Sequence, residues 1–170
     1  MISIRQGMWE TNSSSVHSFN IDYDRSIEET QIPKTVMLRP MGFGWEYDAY
    51  YTIEEKLSYI FIAMNSYPHD LRIRKYKKKL INFLKKYHVK VPNMKSICNT
   101  CTACGVTVCM GPMCDKYKPW DECYVDHAYE HLEKLIPIID NEDELFRFIF
   151  LDTSYISTGN DNYGPYSEEE

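Results

Sequence analysis

A chain of 170 residues that is 44% hydrophobic and 14% aromatic can bury one sizeable core, and its length sets an expectation of one domain spanning 1–170. Nineteen basic residues against 25 acidic ones leave a formal net charge of −6, which argues against a general electrostatic grip on nucleic acid. The longest apolar stretches, Tyr59 to Met64 and Phe146 to Leu151, fall far short of the roughly 20 residues of a membrane-spanning helix, and Met1 to Glu10 lacks the basic start and apolar run of a secretory leader, so a cytoplasmic protein is expected.

The chain opens with β character. Met1 to Ile4 and Val16 to Ile21 alternate or carry β-branched apolar residues around the Ser-rich loop Glu10 to Ser15, which predicts two short paired strands. Val36, Met37 and Leu38 predict a third, stopped by Pro40 and the Gly42-Phe43-Gly44 turn. From Thr52 the period changes. Thr52 can cap a helix, Glu54 and Glu55 suit its first turn, and Leu57, Ile60, Phe61 and Met64 share one face until Pro68 closes it. A second helix is predicted from about Asp70 to Tyr87, with Leu71, Ile73, Tyr76, Leu80, Ile81, Phe83 and Leu84 apolar. Its lysines, Lys75, Lys77, Lys78, Lys79, Lys85 and Lys86, read as a solvated face. Pro92 starts an irregular stretch reaching about Trp120. A third helix is predicted near Asp126 to Leu135 and a fourth near Glu142 to Phe150, capped by Asn141. The sum is α+β: short N-terminal antiparallel strands packed with about four helices, a cysteine-rich insertion at 92–123, and an acidic flexible tail at 164–170.

All six cysteines fall between Cys98 and Cys123. In a reducing compartment that density points to metal more than to disulfides. Cys101 and Cys104, two residues apart and followed by Gly105, form the best half-site for a tetrahedral ion. Cys109 and Cys114, spanning Met110-Gly111-Pro112-Met113, complete a closed set of four thiolates for a structural zinc. Cys98 could replace Cys104 or Cys109, and Cys123 with His127 or His131 could supply the second half. The spacing also matches part of an iron–sulfur pattern, without its fourth spacing or following proline. Four thiolates leave no open position for catalysis, so the metal would substitute for a core that about 30 loop residues cannot build. The plainer alternative is a set of buried free thiols.

Two polar stretches carry the remaining chemistry. Glu10-Thr11-Asn12-Ser13-Ser14-Ser15-Val16-His17-Ser18 places small hydroxyl and amide donors before a histidine. Their N–H and O–H groups could cradle a phosphate, His17 could activate a serine, or the run could be a turn satisfying its own backbone. Ser154 to Asn162, with Gly159, Asn160 and Asp161, is a second hydroxyl- and amide-rich segment, read as a loop able to bond a sugar or base edge, or as a plain turn. Asp126-His127 opens a helix and Glu46 follows the glycine turn. A histidine beside a carboxylate is the minimum for acid–base work and also a common surface pair.

On these residues the chain resembles an uncharacterised group of small proteins of phages and Gram-positive bacteria. The likeness runs through Arg5 to Ser18, Phe43-Gly44-Trp45-Glu46, Lys56-Leu57-Ser58-Tyr59, Tyr124-Val125-Asp126-His127 and Ser154 to Asn162. The cysteine cluster looks like an elaboration on this pattern. The resemblance carries no activity, but it implies that motifs at both ends converge on one pocket, and for a phage-encoded chain the expected cytoplasm is that of the host cell. The leading expectation is therefore a phage-type accessory protein whose pocket, lined by Glu10, Asn12, Ser13, Ser14, Ser15, His17, Asp126, His127, Asn160 and Asp161, binds a phosphorylated or nucleotide-like ligand. In a hydrolase or transferase, His17 or His127 would move the proton and Asp126 or Glu46 would orient it. A different class is an anti-defence inhibitor that binds a host protein through an aromatic surface, for which Tyr47, Tyr50, Tyr51, Tyr163 and Tyr166 would have to face outward. Nucleic-acid binding through the cysteine knuckle and lysine helix is the third expectation.

Overall fold

The computed structural model describes residues 15–28, 30–44, 46–94 and 123–160. The order is β1 (Ser15–Asn20), β2 (Gly42–Phe43), β3 (Asp48–Tyr50), α1 (Ile53–Asn65), α2 (Leu71–Lys86), β4 (Tyr124–Val125), α3 (Ala128–Asp140), α4 (Glu142–Phe150) and β5 (Tyr155–Asn160). This is a mixed α and β fold with four helices and a three-stranded antiparallel sheet ordered β1-β5-β3, plus a two-residue parallel pair of β2 with β4.

The helices start where their chemistry predicts. Thr52 and Glu55 form a reciprocal capping box at α1, Asp70 accepts from the N–H groups of Arg72 and Ile73, and Asn141 accepts from those of Asp143 and Glu144. α1 is buried nearly all round from Lys56 to Asn65, so it is the central helix against which the other three and β4 pack. The lysine face of α2 is bound to its neighbours: Arg72 pairs with Glu133, Lys79 with Asp140 and Lys86 with Glu142. α3 runs five residues past the expected end at Leu135, through Pro137, because Leu135, Ile136, Ile138 and Ile139 continue the buried stripe and outweigh the hydrogen bond a proline forfeits.

Two strand expectations are corrected, and a third falls partly outside the described residues. β1 pairs with the last strand, in the register Ser15↔Asn160 to Asn20↔Tyr155; its predicted partner, Met1 to Ile4, lies outside the described residues. Ser154 to Asn162 is not a loop as far as Asn160: Tyr155 to Asn160 form the central strand of the sheet, since Ile156 and Thr158 alternate inward against β1 and β3. Val36-Met37-Leu38 is not a strand. It is an extended peg between prolines, tied by the Thr35↔Lys90 bridge, with Val36 and Leu38 buried. A side chain plays the missing strand: Asn93 Oδ1 accepts from Leu38 N at 2.9 Å and Asn93 Nδ2 donates to Leu38 O at 2.7 Å. Asn93→Ala strands both backbone groups and is expected to cost about 1–3 kcal/mol in urea unfolding, against about nothing for Asn93→Ala if the pair were incidental.

Among the described residues no helix is long and apolar enough to cross a membrane.

Candidate functional site

The inner face of β1 carries Ser15 and His17, both buried. Across from it the parallel β2–β4 pair brings two distant motifs together, and Asp126 N donates to Phe43 O at 2.9 Å beyond its end. The chain then turns sharply. His127 takes the left-handed conformation, φ 47°, caps α3, and accepts through its carbonyl from Glu130 and His131. One turn into α3, His131 lands flat on His17, the ring centroids 4.0 Å apart and the planes at 17°.

The hydrogen bonds of His17 fix its protonation. Nε2 lies 2.9 Å from the Gly44 carbonyl, which can only accept, so the ring proton sits on Nε2. Nδ1, 2.8 Å from the Tyr59 hydroxyl, is therefore the acceptor and Tyr59 the donor. Burial lowers the pKa of His17, and the Gly44 bond and the Asp126 charge only partly oppose this, so the neutral ring is the stable one. The same desolvation holds the Tyr59 hydroxyl proton well above the ordinary tyrosine range.

His131 differs from its partner in one respect. It is 2% exposed, and neither of its ring nitrogens has a hydrogen-bond partner among the described residues; the Ser15 hydroxyl is also buried and unpartnered there. Burial, with His17, Lys134 and His127 adding to it, pushes the His131 pKa down to about 3. His127 is the half-exposed member, its Nε2 3.9 Å from Asp126 and its Nδ1 3.9 Å from Glu130.

Of the residues named from the sequence, Ser15, His17, Asp126 and His127 gather at this end of the fold, and the backbone of Asn160 pairs with Ser15. Glu46 arrives differently: its carbonyl accepts from Thr158 Oγ1 at 2.6 Å, so it fixes β5 through its backbone, and the carboxylate acting on His17 is that of Asp126. Glu10, Thr11, Asn12, Ser13, Ser14, Asp161, Cys98, Cys101, Cys104, Cys109 and Cys114 lie outside the described residues; Cys123 is buried in the core just before β4. Among the described residues no three metal-ligating side chains cluster.

Sequence reading missed His131 and Tyr59 as members of the site. Both carried a signal: each is a polar-tipped ring on the apolar stripe of a helix, four residues after His127 and between Leu57 and Ile60 respectively. Two surface concavities, about 630 Å³ over the start of α1 beside Arg25 and Asp152 and about 320 Å³ beside Tyr87 and Phe146, lie away from the histidines. No family model, curated protein or solved structure matches the chain.

Proposed function

We propose that this chain is a phage-type accessory protein that binds a phosphorylated or nucleotide-like small molecule at the histidine end of the fold. One observation carries the reading: the Ser15 hydroxyl and both nitrogens of His131 are buried without partners among the described residues, beside His17, Asp126 and His127. An unmet buried polar group costs about 1–3 kcal/mol, and a phosphate ester, which offers several acceptors and in its acid form a donor, offsets that cost on binding. Ser15 is the last residue of the run Ser13-Ser14-Ser15, so the hydroxyl-rich motif of the sequence supplies one member of the site. The resemblance to small phage proteins supports the accessory assignment.

In a hydrolase or transferase built here, His127 is the proton-transfer group and Asp126 its orienting carboxylate, because His17 has both nitrogens committed. Cys101, Cys104, Cys109 and Cys114 hold a structural zinc in the same proposal, tested by one equivalent of zinc in metal analysis, retained until a thiol-blocking reagent is added. The ligand reading is tested by thermal shift against inorganic phosphate and a nucleotide panel. A ligand at a hundred times its Kd should add about 2.7 kcal/mol to stability, a rise of several degrees. No shift with any phosphate-bearing compound, together with a Ser15→Ala, His127→Ala double variant unchanged in every property, removes the reading.

A second reading, an anti-defence inhibitor that binds a host protein, is favoured by Tyr47 and Tyr51, which are exposed; Tyr50 instead packs edge-on against Phe43.

A further inference from the structure

The outer face of the three-stranded sheet forms a second surface, independent of the histidine end and on the opposite side of the strands. Register places its side chains in three rows that cross the strands. Tyr47, Gly159 and Val16 make one row, Ala49, Ser157 and Ser18 the middle one, and Tyr51, Tyr155 and Asn20 the third. The middle row is low, since it contains a methyl and two hydroxymethyl groups. The outer rows are high. The ring of Tyr47 lies against Gly159, where an added Cβ would meet it at 3.0 Å, and Tyr51 leans on Tyr155 with centroids 4.7 Å apart and planes at 30°. Tyr47 is 65% and Tyr51 45% exposed, and Val16 is exposed beside them.

We propose that this trough docks an uncharged, proline-rich segment of a partner protein in the polyproline II conformation. The inference gives the interaction reading a partner chemistry and does not depend on the ligand site.

Three features select that occupant. None of the nine side chains is charged, so a phosphate backbone or a charged helix finds no complement, while a proline-rich segment loses nothing by lying there. The dimensions agree: two strand spacings make a trough about 9.6 Å long, and one polyproline II turn of three residues advances about 9.3 Å. The walls, four residues apart on one strand, stand about 13 Å apart at the backbone, which leaves room for one such helix between aromatic faces. Chemistry completes the match. Polyproline II makes no internal hydrogen bonds, so its carbonyls are open to hydroxyl donors such as Ser18 and Ser157 in the floor, while proline rings lie on tyrosine faces with little entropy left to lose.

The test is a titration of the ¹⁵N-labelled full chain with a blocked decaproline peptide, followed by amide shifts, with cellohexaose as a neutral polyhydroxyl comparison. Shifts confined to Val16, Ser18, Ala49, Ser157 and Gly159 are expected on adding decaproline. Ala49→Trp, which fills the trough, and Tyr51→Ala, which removes a wall, should each weaken binding about tenfold or more, while Tyr23→Ala, an exposed tyrosine outside the sheet, should not. The spectrum of each variant reports its own folding, and Tyr51→Ala keeps the question answerable should Ala49→Trp misfold. The proposal is overturned by an unchanged spectrum at millimolar peptide, by shifts elsewhere, by binding that survives both variants, or by cellohexaose binding at these residues where decaproline does not. A positive result leaves the phosphate screen unaffected, and a failed phosphate screen leaves this result standing.

Discussion

Alanine at position 56 is expected to destabilise the fold by about 3–5 kcal/mol, measured by urea unfolding at neutral pH. Lys56 is 0% exposed in the first turn of α1, and its ammonium donates to Leu151 O at 2.7 Å and to Ser154 O at 2.8 Å. Those two carbonyls sit in the turn between α4 and β5, where the chain leaves the helix and no regular ladder serves them. One side chain therefore ties the central helix to the start of the central strand. Truncation removes the packed alkyl stem, leaves the Ser154 carbonyl unmet and leaves the Leu151 carbonyl with only the Ser154 N–H at 3.3 Å, and these costs add. Lys56→Met separates them: it restores the stem and should recover about 1 kcal/mol or more, while the ammonium's bonds to the two carbonyls stay lost. A Lys56→Ala protein within 1 kcal/mol of the parent would mean that the turn satisfies itself.

The same lysine gives stability a pH dependence of defined sign. Burial lowers its pKa to about 8, against the partial opposition of Asp152 and Glu55. The folded chain releases the proton near pH 8, whereas the unfolded chain holds it to about 10.4. Between these values the unfolded state binds more protons, so the Lys56 contribution grows as pH rises, by about 2–3 kcal/mol from pH 8 to pH 10. Tyr50, held up to about 12, and Tyr59, held well above the ordinary tyrosine range by burial, begin to oppose this only above pH 10, where unfolded tyrosines ionise. The stability difference between the parent and Lys56→Met should therefore widen from pH 7 to pH 10. A constant difference would show that the two carbonyls, and not desolvation, set the proton affinity of Lys56.

The parts of this fold legible in the sequence were those fixed by local chemistry. Thr52 with Glu55, Asp70 and Asn141 each declared a helix start within a residue, because a cap is a contact between near neighbours. The sheet was not legible, because its pairing joins residues 15–20 to 155–160, and nothing local distinguishes a central strand rich in serine, threonine and glycine from a loop of the same composition. Leu38 shows a subtler failure. It reads as a strand because it is apolar, β-flanked and buried, yet its partner is the amide of Asn93, which no strand period encodes. The site divides the same way. His17, Asp126 and His127 stand out by type, while Lys56 and Tyr59 enter only through the short motif Lys56-Leu57-Ser58-Tyr59 and His131 only as an alternative metal ligand. His17, Tyr59 and Lys56, with Gly44, Leu151 and Ser154, are residues whose polar atoms bond across the core, so the motifs read from the sequence as one site also record a buried scaffold.

His131→Leu is expected to make the protein more stable and less able to bind. At pH 7 the buried imidazole has two nitrogens without partners among the described residues and sits on the stripe of Ala128, Leu132 and Leu135. Leucine removes both unmet atoms at similar volume, so a gain of about 1–3 kcal/mol is expected in thermal or urea unfolding. Acid enlarges it. The folded-state pKa of His131 lies at about 3, far below the unfolded value, so the unfolded chain takes up a proton first as pH falls below about 6.5. The stability His131 has above that pH is then lost, about 2 kcal/mol by pH 5, and the variant is spared this. A side chain that makes its own protein less stable persists where it meets something the isolated fold lacks. The stabilised variant should therefore show no shift with any phosphate-bearing compound that shifts the parent. A loss of stability at pH 7 would mean that His131 already has its partner within the chain and that the histidine end is scaffold alone. Higher stability with ligand binding intact would keep a site at this end but move it off His131, towards the exposed pair of Asp126 and His127.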